Sequence, residues 1–139
     1  FIDEIRNSVS IPVLSILEET SSFLKKQKVK SVGILATSTL LKSGIYERTL
    51  KKQMIAQVKP DNYEQEKIGK VISNIVLNRH ANKDREQLLK IIENLEKKKV
   101  RHVILACTDL QLLIPKNSKI KIYDTMKIFA EATVNKILE

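Results

Sequence analysis

One cysteine in 139 residues, Cys107, has no second thiol to pair with, so an internal disulfide is excluded and the cytosol is the expected compartment. Two histidines, His80 and His102, stand far apart without a second ligand at metal spacing, and no metal site is expected. Glycine is scarce at three residues, and no phosphate loop, G-x-G-x-x-G, G-x-S-x-G or C-x-x-C occurs. Those absences remove nucleotide-loop, dinucleotide, hydrolase-elbow and thioredoxin readings at the motif level. The lysines show no pyridoxal signature, and no cofactor is expected. No apolar run approaches the roughly 18 to 20 residues of a membrane span, so the expectation is a soluble protein with no membrane partner. The aromatics Phe1, Phe23, Phe129, Tyr46, Tyr63 and Tyr123 are dispersed and build no stacking platform for single-stranded nucleic acid.

What is abundant is charge, 29% of residues with a net +9. That balance raises nucleic acid as a partner, because a basic surface attracts phosphates. The placement of the lysines argues against it. Lys25-Lys26, Lys51-Lys52, Lys97-Lys98-Lys99 and those between Lys116 and Lys121 fall mostly where helices are expected to end, and there they complement the macrodipole. Solvated faces are the expectation. A chain of this length with 42% hydrophobic residues suits one ordinary domain with a real core.

Residues 1–9 (FIDEIRNSV) read as the tail of an amphipathic helix, without the basic start and apolar centre of a signal peptide, so the chain is expected to begin mid-fold. Residues 10–16 suit a short strand with Pro12 near its first position, and residues 17–28 a helix with Leu17, Phe23 and Leu24 inward. Residues 31–37 are a nearly continuous apolar run, the pattern of a strand covered on both faces. A helix from Ser43-Gly44 to about Lys52 precedes a third strand over 54–58, stopped by Pro60. Asp61 offers an N-cap to a long helix with Ile68, Ile72, Ile75 and Val76 on one face. A second helix over 84–98 repeats that logic with Leu88, Ile91, Ile92 and Leu95. Residues 100–106 read as the fourth strand, 110–114 as a helical or tight turn stopped at Pro115, and 119–123 as a last, more exposed strand. Asp124 or Thr125 caps a closing helix with Met126, Phe129, Ala130, Thr133 and Ile137 inward. No internal repeat is obvious. Strands and helices alternating over short connections predict an α/β fold with a mostly parallel sheet and helices on both faces.

The residues able to do chemistry stand at strand ends, the usual address of sites in open α/β sheets. Cys107 follows the apolar run Val103-Ile104-Leu105-Ala106 and precedes Thr108-Asp109. A buried cysteine is commonly a small apolar filler. At the carboxyl end of a strand, before a helical turn, backbone N–H groups can lower its pKa and make it a base or nucleophile. Thr108 offers a hydroxyl to a substrate carboxylate, while Asp109 serves either as a helix cap or as an auxiliary that holds or relays a proton. A second strand ends in Thr37-Ser38-Thr39, with Ser43-Gly44 beyond. These are an anion cradle or plain turn and cap residues. Two hydroxyl-rich strand ends, one with a thiol, favour a small carboxylate-bearing substrate over a nucleotide.

Several segments together resemble the pyridoxal-independent aspartate/glutamate racemases. Gly33-Ile34-Leu35-Ala36-Thr37 through Ser43-Gly44-Ile45-Tyr46 is similar to that family's "LAT, then SG-x-Y" segment. Ile104-Leu105-Ala106-Cys107-Thr108-Asp109 resembles its second cysteine segment, and Tyr123-Asp124-Thr125 with Ala130-Glu131-Ala132 its closing "DT, then AEA" helix. Residues 11–16 resemble its "IP-x-x-S-I" segment. The resemblance implies two similar α/β halves facing across a cleft, with one cysteine from each on opposite faces of the substrate Cα. It makes Cys107 the second-half base, Thr108 and Thr37 substrate ligands with Thr39 beside them, and Asp109 a tuner of the thiol. Family members carry the first cysteine in a C-N-T segment before the stretch matching Phe1. Residues 1–28 are therefore expected to be the tail of the first half or a connecting segment, 29–124 the second α/β half-domain and 125–139 the closing helix. Leu40 stands where many members have the second Thr of a G-T pair, and Arg79 is the nearest substitute for a lysine some carry near Leu77. A small acidic amino acid is the implied partner, and a homodimer the implied assembly. The alternatives are a single-cysteine decarboxylase or isomerase of the same superfamily, or a non-catalytic basic binding domain.

Overall fold

The computed structural model describes residues 2–114 and 119–138. Four strands, β1 (Ser31–Leu35), β2 (Ala56–Val58), β3 (His102–Leu105) and β4 (Lys121–Asp124), pair in parallel in the order β2-β1-β3-β4. Around them lie α1 (Ile2–Ser8), α2 (Ile16–Lys26), α3 (Ser38–Ser43), α4 (Ile45–Lys52), α5 (Asn62–Val76), α6 (Asn82–Lys97) and α7 (Thr125–Leu138). This is the expected α/β architecture.

Alternation along the strands divides the core in two. Leu35, Val103 and Leu105 face α5 and α6, where Ile68, Val71, Leu88 and Leu95 meet them. Val32, Ile34, Ile104 and Tyr123 face the other way, onto Leu24 of α2, Leu50 of α4 and Ile128 of α7. Gly33 is required where α6 closes on β1, because a Cβ there would stand 3.0 Å from Leu95 Cδ1 and 3.1 Å from Val103 Cγ2.

The α5–α6 hairpin is tied by its own polar groups. Asp61 accepts the Glu64 N–H at 2.8 Å and donates its own N–H to the Glu64 carboxylate at 2.9 Å, a reciprocal cap. Buried Glu64 also accepts from Asn94 of α6, and buried Asp84 of α6 accepts from Asn74 of α5, both at 2.9 Å. Each helix's first-turn carboxylate is thus held by an asparagine of the other.

Four helices end alike. The N–H of Val29 donates to the carbonyl of Leu24, Ile55 to Leu50, Arg79 to Asn74 and Val100 to Leu95, at 2.7 to 3.1 Å. The residue before each donor, Lys28, Met54, Asn78 or Lys99, is left-handed with φ of 52° to 64°. This is the Schellman ending, in which glycine is usual. At three of the four the sequence matches as well: LKKQKV at 24–29, LKKQMI at 50–55 and LEKKKV at 95–100. In each, the first leucine and the last Val or Ile are buried and the residues between are largely polar. A short internal repeat is therefore present where none was expected.

Other boundaries differ from expectation for local reasons. Residues 10–16 are not a strand: Pro12 has no N–H to give a ladder, Ile11 is exposed, and Ser15 is the N-cap of a helix that starts at Ile16. The helix expected from Ser43-Gly44 to Lys52 starts at Ile45, after a separate α3, and the two are joined at left-handed Gly44 (φ 64°). The third strand begins at Ala56 because Met54 is the left-handed terminator of α4. On α7, Thr125 and Ile128 are buried while Met126, Ala130 and Ile137 are exposed, the reverse of the expected face for those three. The stop expected at Pro115 lies outside the described residues, as do Phe1 and Glu139.

Candidate functional site

Leu35 of β1 and Leu105 of β3 are partners in register, and the Ala106 N–H donates to the Leu35 carbonyl at 2.8 Å. Thr37 and Cys107 each follow two residues later, so two neighbouring strands run out side by side at one edge of the sheet. The Cys107 carbonyl accepts the Leu110 N–H at 3.2 Å, opening a 3-10 turn over Leu110–Leu112. The Cys107 side chain is buried against the α5–α6 core, with Sγ 3.9 Å from Asp109 Oδ2.

That environment corrects the expected direction of the thiol's titration. Burial pushes the Cys107 pKa up; the N–H groups of Asp109 and Leu110 pull it down, while the Asp109 carboxylate adds to the rise. Desolvation outweighs the backbone dipoles, and Cys107 holds its proton at neutral pH. Asp109 makes no capping hydrogen bond to the turn it precedes, and its half-buried carboxylate lies beside the thiol.

The hydroxyls are placed less uniformly. Thr37 is half-buried and caps α3, its Oγ1 accepting the Leu40 N–H at 3.3 Å. Thr39, on α3, and Thr108, beside Cys107, are exposed. The structure thus gathers Cys107, Asp109 and Thr108 in one turn, with Thr37 at the end of the adjacent strand.

Two residues support this edge in roles that the sequence did not show. Thr125 donates to the Leu105 carbonyl at 2.7 Å, two residues before Cys107, and is buried there. Asp124 does the capping of α7 instead, accepting the Met126 N–H at 2.9 Å and the Lys127 N–H at 3.4 Å. Gln65 of α5 donates to the Ala36 carbonyl at 2.9 Å and the Ser38 hydroxyl at 3.3 Å, bracing the end of β1. Aspartate followed by threonine before a helix reads as a choice of caps, and a glutamine that reaches across 29 positions leaves no local trace. His102 stands at the other end of β3, stacked on Tyr123 with Nδ1 3.2 Å from its hydroxyl. Among the described residues no three His, Cys, Asp or Glu side chains group as metal ligands.

Two open cavities are lined by neighbouring segments. One, of about 560 Å³, is bounded by His80, Asn82, Arg85 and residues 112–114. The other, of about 610 Å³, is bounded by Ser38, Lys42, Lys59 and Gln65. Neither is lined by Cys107.

The sequence pattern of the Asp/Glu/Hydantoin racemase family matches residues 1–133. The chain belongs to that family. This racemase-family chain is 27% identical over 139 residues to the broad specificity amino-acid racemase RacX of Bacillus subtilis (strain 168), covering 99% of the chain and 60% of RacX. It superposes with a TM-score of 0.90 on a Yersinia pestis protein assigned to the Asp/Glu racemases, at 26% identity over 99% of the chain and 61% of that protein. Picrophilus torridus aspartate racemase gives a TM-score of 0.74 at 31% identity, over 88% and 51%. The chain spans 60% of the length of its curated relative RacX.

Proposed function

We propose that this chain supplies one half of the acid–base pair of an amino-acid racemase, with Cys107 exchanging a proton with the Cα of aspartate or glutamate. The observation that carries the proposal is the position of the Cys107 thiol at the end of β3, beside Asp109 and next to the end of β1. Inversion at carbon needs an acid and a base on opposite faces of Cα. A thiol that keeps its proton at neutral pH is ready to act as the acid, and once it has given that proton up it is the base for the reverse direction. Asp109 tunes that proton. Thr37, Thr39 and Thr108 hold the substrate's charged groups.

The opposing base is assigned to the part of the relatives' length that this chain does not span, and residues 29–124 to a half-domain facing it. Met126, Ala130, Val134 and Ile137 support that arrangement, because they lie exposed along one side of α7 at helical spacing. No cofactor enters this scheme. By itself the 139-residue chain is expected to racemise poorly.

The test uses a protein of the relatives' full length. Cys107→Ala is expected to lower both D/L interconversion and Cα hydrogen exchange of aspartate or glutamate by about 100- to 10,000-fold. Unchanged rates in that variant would sink the proposal. Loss of carbon dioxide from the substrate, in place of inversion, would favour the single-cysteine decarboxylase instead.

A further inference from the structure

The four segments that lead into the strands, residues 25–30, 51–55, 97–101 and 119–121, hold twelve basic residues and no Asp or Glu. The rest of the chain has thirteen basic residues against sixteen acidic ones, so these segments account for the whole of the +9 charge. Because the strands are parallel, the residues immediately ahead of them share one edge of the sheet. It is the edge opposite Cys107. Lysines that look scattered along the chain are therefore sorted by the fold, and the repeated helix endings are what sort them.

All twelve side chains are exposed. Among the described residues Arg101 lies 3.3 Å from Glu96 and Lys98 lies 3.9 Å from Glu64, while Lys52 and Lys51 act at longer range on Glu18 and Glu47. The four strands make the edge about 15 Å wide at the usual strand spacing. Met54 lies within it, 74% exposed at the left-handed end of α4.

We infer that this edge docks the chain on an anionic lipid bilayer. A row of lysines at a surface is drawn to anionic headgroups, and their long stems let the charges reach the phosphates. An exposed methionine among them can enter the boundary between headgroups and acyl chains. Duplex nucleic acid fits less well. The edge is made of blunt turns with no helix or strand projecting to enter a groove, and eleven of the twelve cations are lysine, which lacks arginine's fork for phosphate. With the edge on a membrane, Cys107 faces away from it.

Sedimentation of the chain with vesicles tests the inference. Binding is expected to vesicles of equal phosphatidylglycerol and phosphatidylcholine, and not to phosphatidylcholine alone. Lys26→Gln, Lys30→Gln and Lys51→Gln combined should weaken it about 100-fold, at about fivefold for each lysine. Lys70→Gln, Lys83→Gln and Lys90→Gln, the same change of charge away from the edge, should leave most of it intact, and Met54→Ser should weaken it further. Circular dichroism checks that both triple variants fold. No binding to the anionic vesicles, equal loss in the two triples, or tighter binding to duplex DNA than to vesicles at matched phosphate would each overturn the inference.

Discussion

Cys107 keeps its proton because it is buried and because Asp109 stands 3.9 Å from its sulfur, and two backbone N–H groups do not reverse those effects. Asp109→Asn removes the negative charge and leaves the burial in place. The Cys107 pKa is then expected to fall, speeding alkylation near neutral pH. A rate profile with iodoacetamide across pH reads this directly, and an unmoved profile would show that burial alone holds the proton. The same proton sets a stability trend. A thiol whose folded pKa is raised has no effect on pH-dependent stability below its ordinary value; it lowers stability as pH climbs from that value through the folded one. At this scale the site was half legible. The thiol and its flanking hydroxyls could be singled out from residue type and strand-end position, but the direction of the pKa shift depended on burial, which residue order does not express. Thr125 was visible as a cap candidate, and its real role needed the three-dimensional fact that β4 ends beside the Leu105 carbonyl.

The helix endings were harder to see because they break a rule used to find them. With three glycines in the chain, Lys28, Met54, Asn78 and Lys99 occupy left-handed positions that glycine normally fills, so α2, α4, α5 and α6 end without the usual mark. What stops α2, α4 and α6 is the hydrophobic partner of the motif: Leu24 with Val29, Leu50 with Ile55 and Leu95 with Val100 are buried together and draw the chain round into the next strand. A left-handed lysine costs about 1 to 2 kcal/mol in local sterics, and part of that is recovered when glycine's extra freedom in the unfolded chain is counted. Lys99→Gly and Lys28→Gly are each expected to stabilise the fold by about 0.5 to 1 kcal/mol, additively because they terminate different helices. Lys99→Ala, which keeps the Cβ, should bring no such gain. Urea midpoints that rise with an unchanged slope would bear this out, and a fall on Lys99→Gly would mean that the lysine stem contributes packing that outweighs its strain.

For the molecule as a whole, hydrophobic periodicity was enough for the parallel sheet, the helices on both faces and most element positions. It misjudged residues 10–16, where Pro12 and the Ser15 N-cap decide locally, and the rotation of α7, which depends on what lies beside it and not on its own pattern. Met126, Ala130 and Ile137 are apolar and regularly spaced, and so read as an inward face, yet here they are exposed while Thr125 and Ile128 turn in. An apolar stripe on the outside of a helix has few contacts to resist local opening, and α1 has no buried residue at all. In the 139-residue chain, amide hydrogens of α1 and of α7 beyond Ala132 are therefore expected to exchange orders of magnitude faster than those of β1 and β3, whose side chains are almost wholly buried. If the uncovered side of α7 meets the other half of a racemase, exchange along Met126 to Ile137 should slow at least about tenfold in a protein of the relatives' full length, since each 1.4 kcal/mol of added local stability gives a factor of ten. Equal exchange in the two proteins would place the second half elsewhere and leave the stripe without that role. Slowing confined to α7 and α1, with β1 and β3 unchanged, would identify these helices as the face on which the two halves meet.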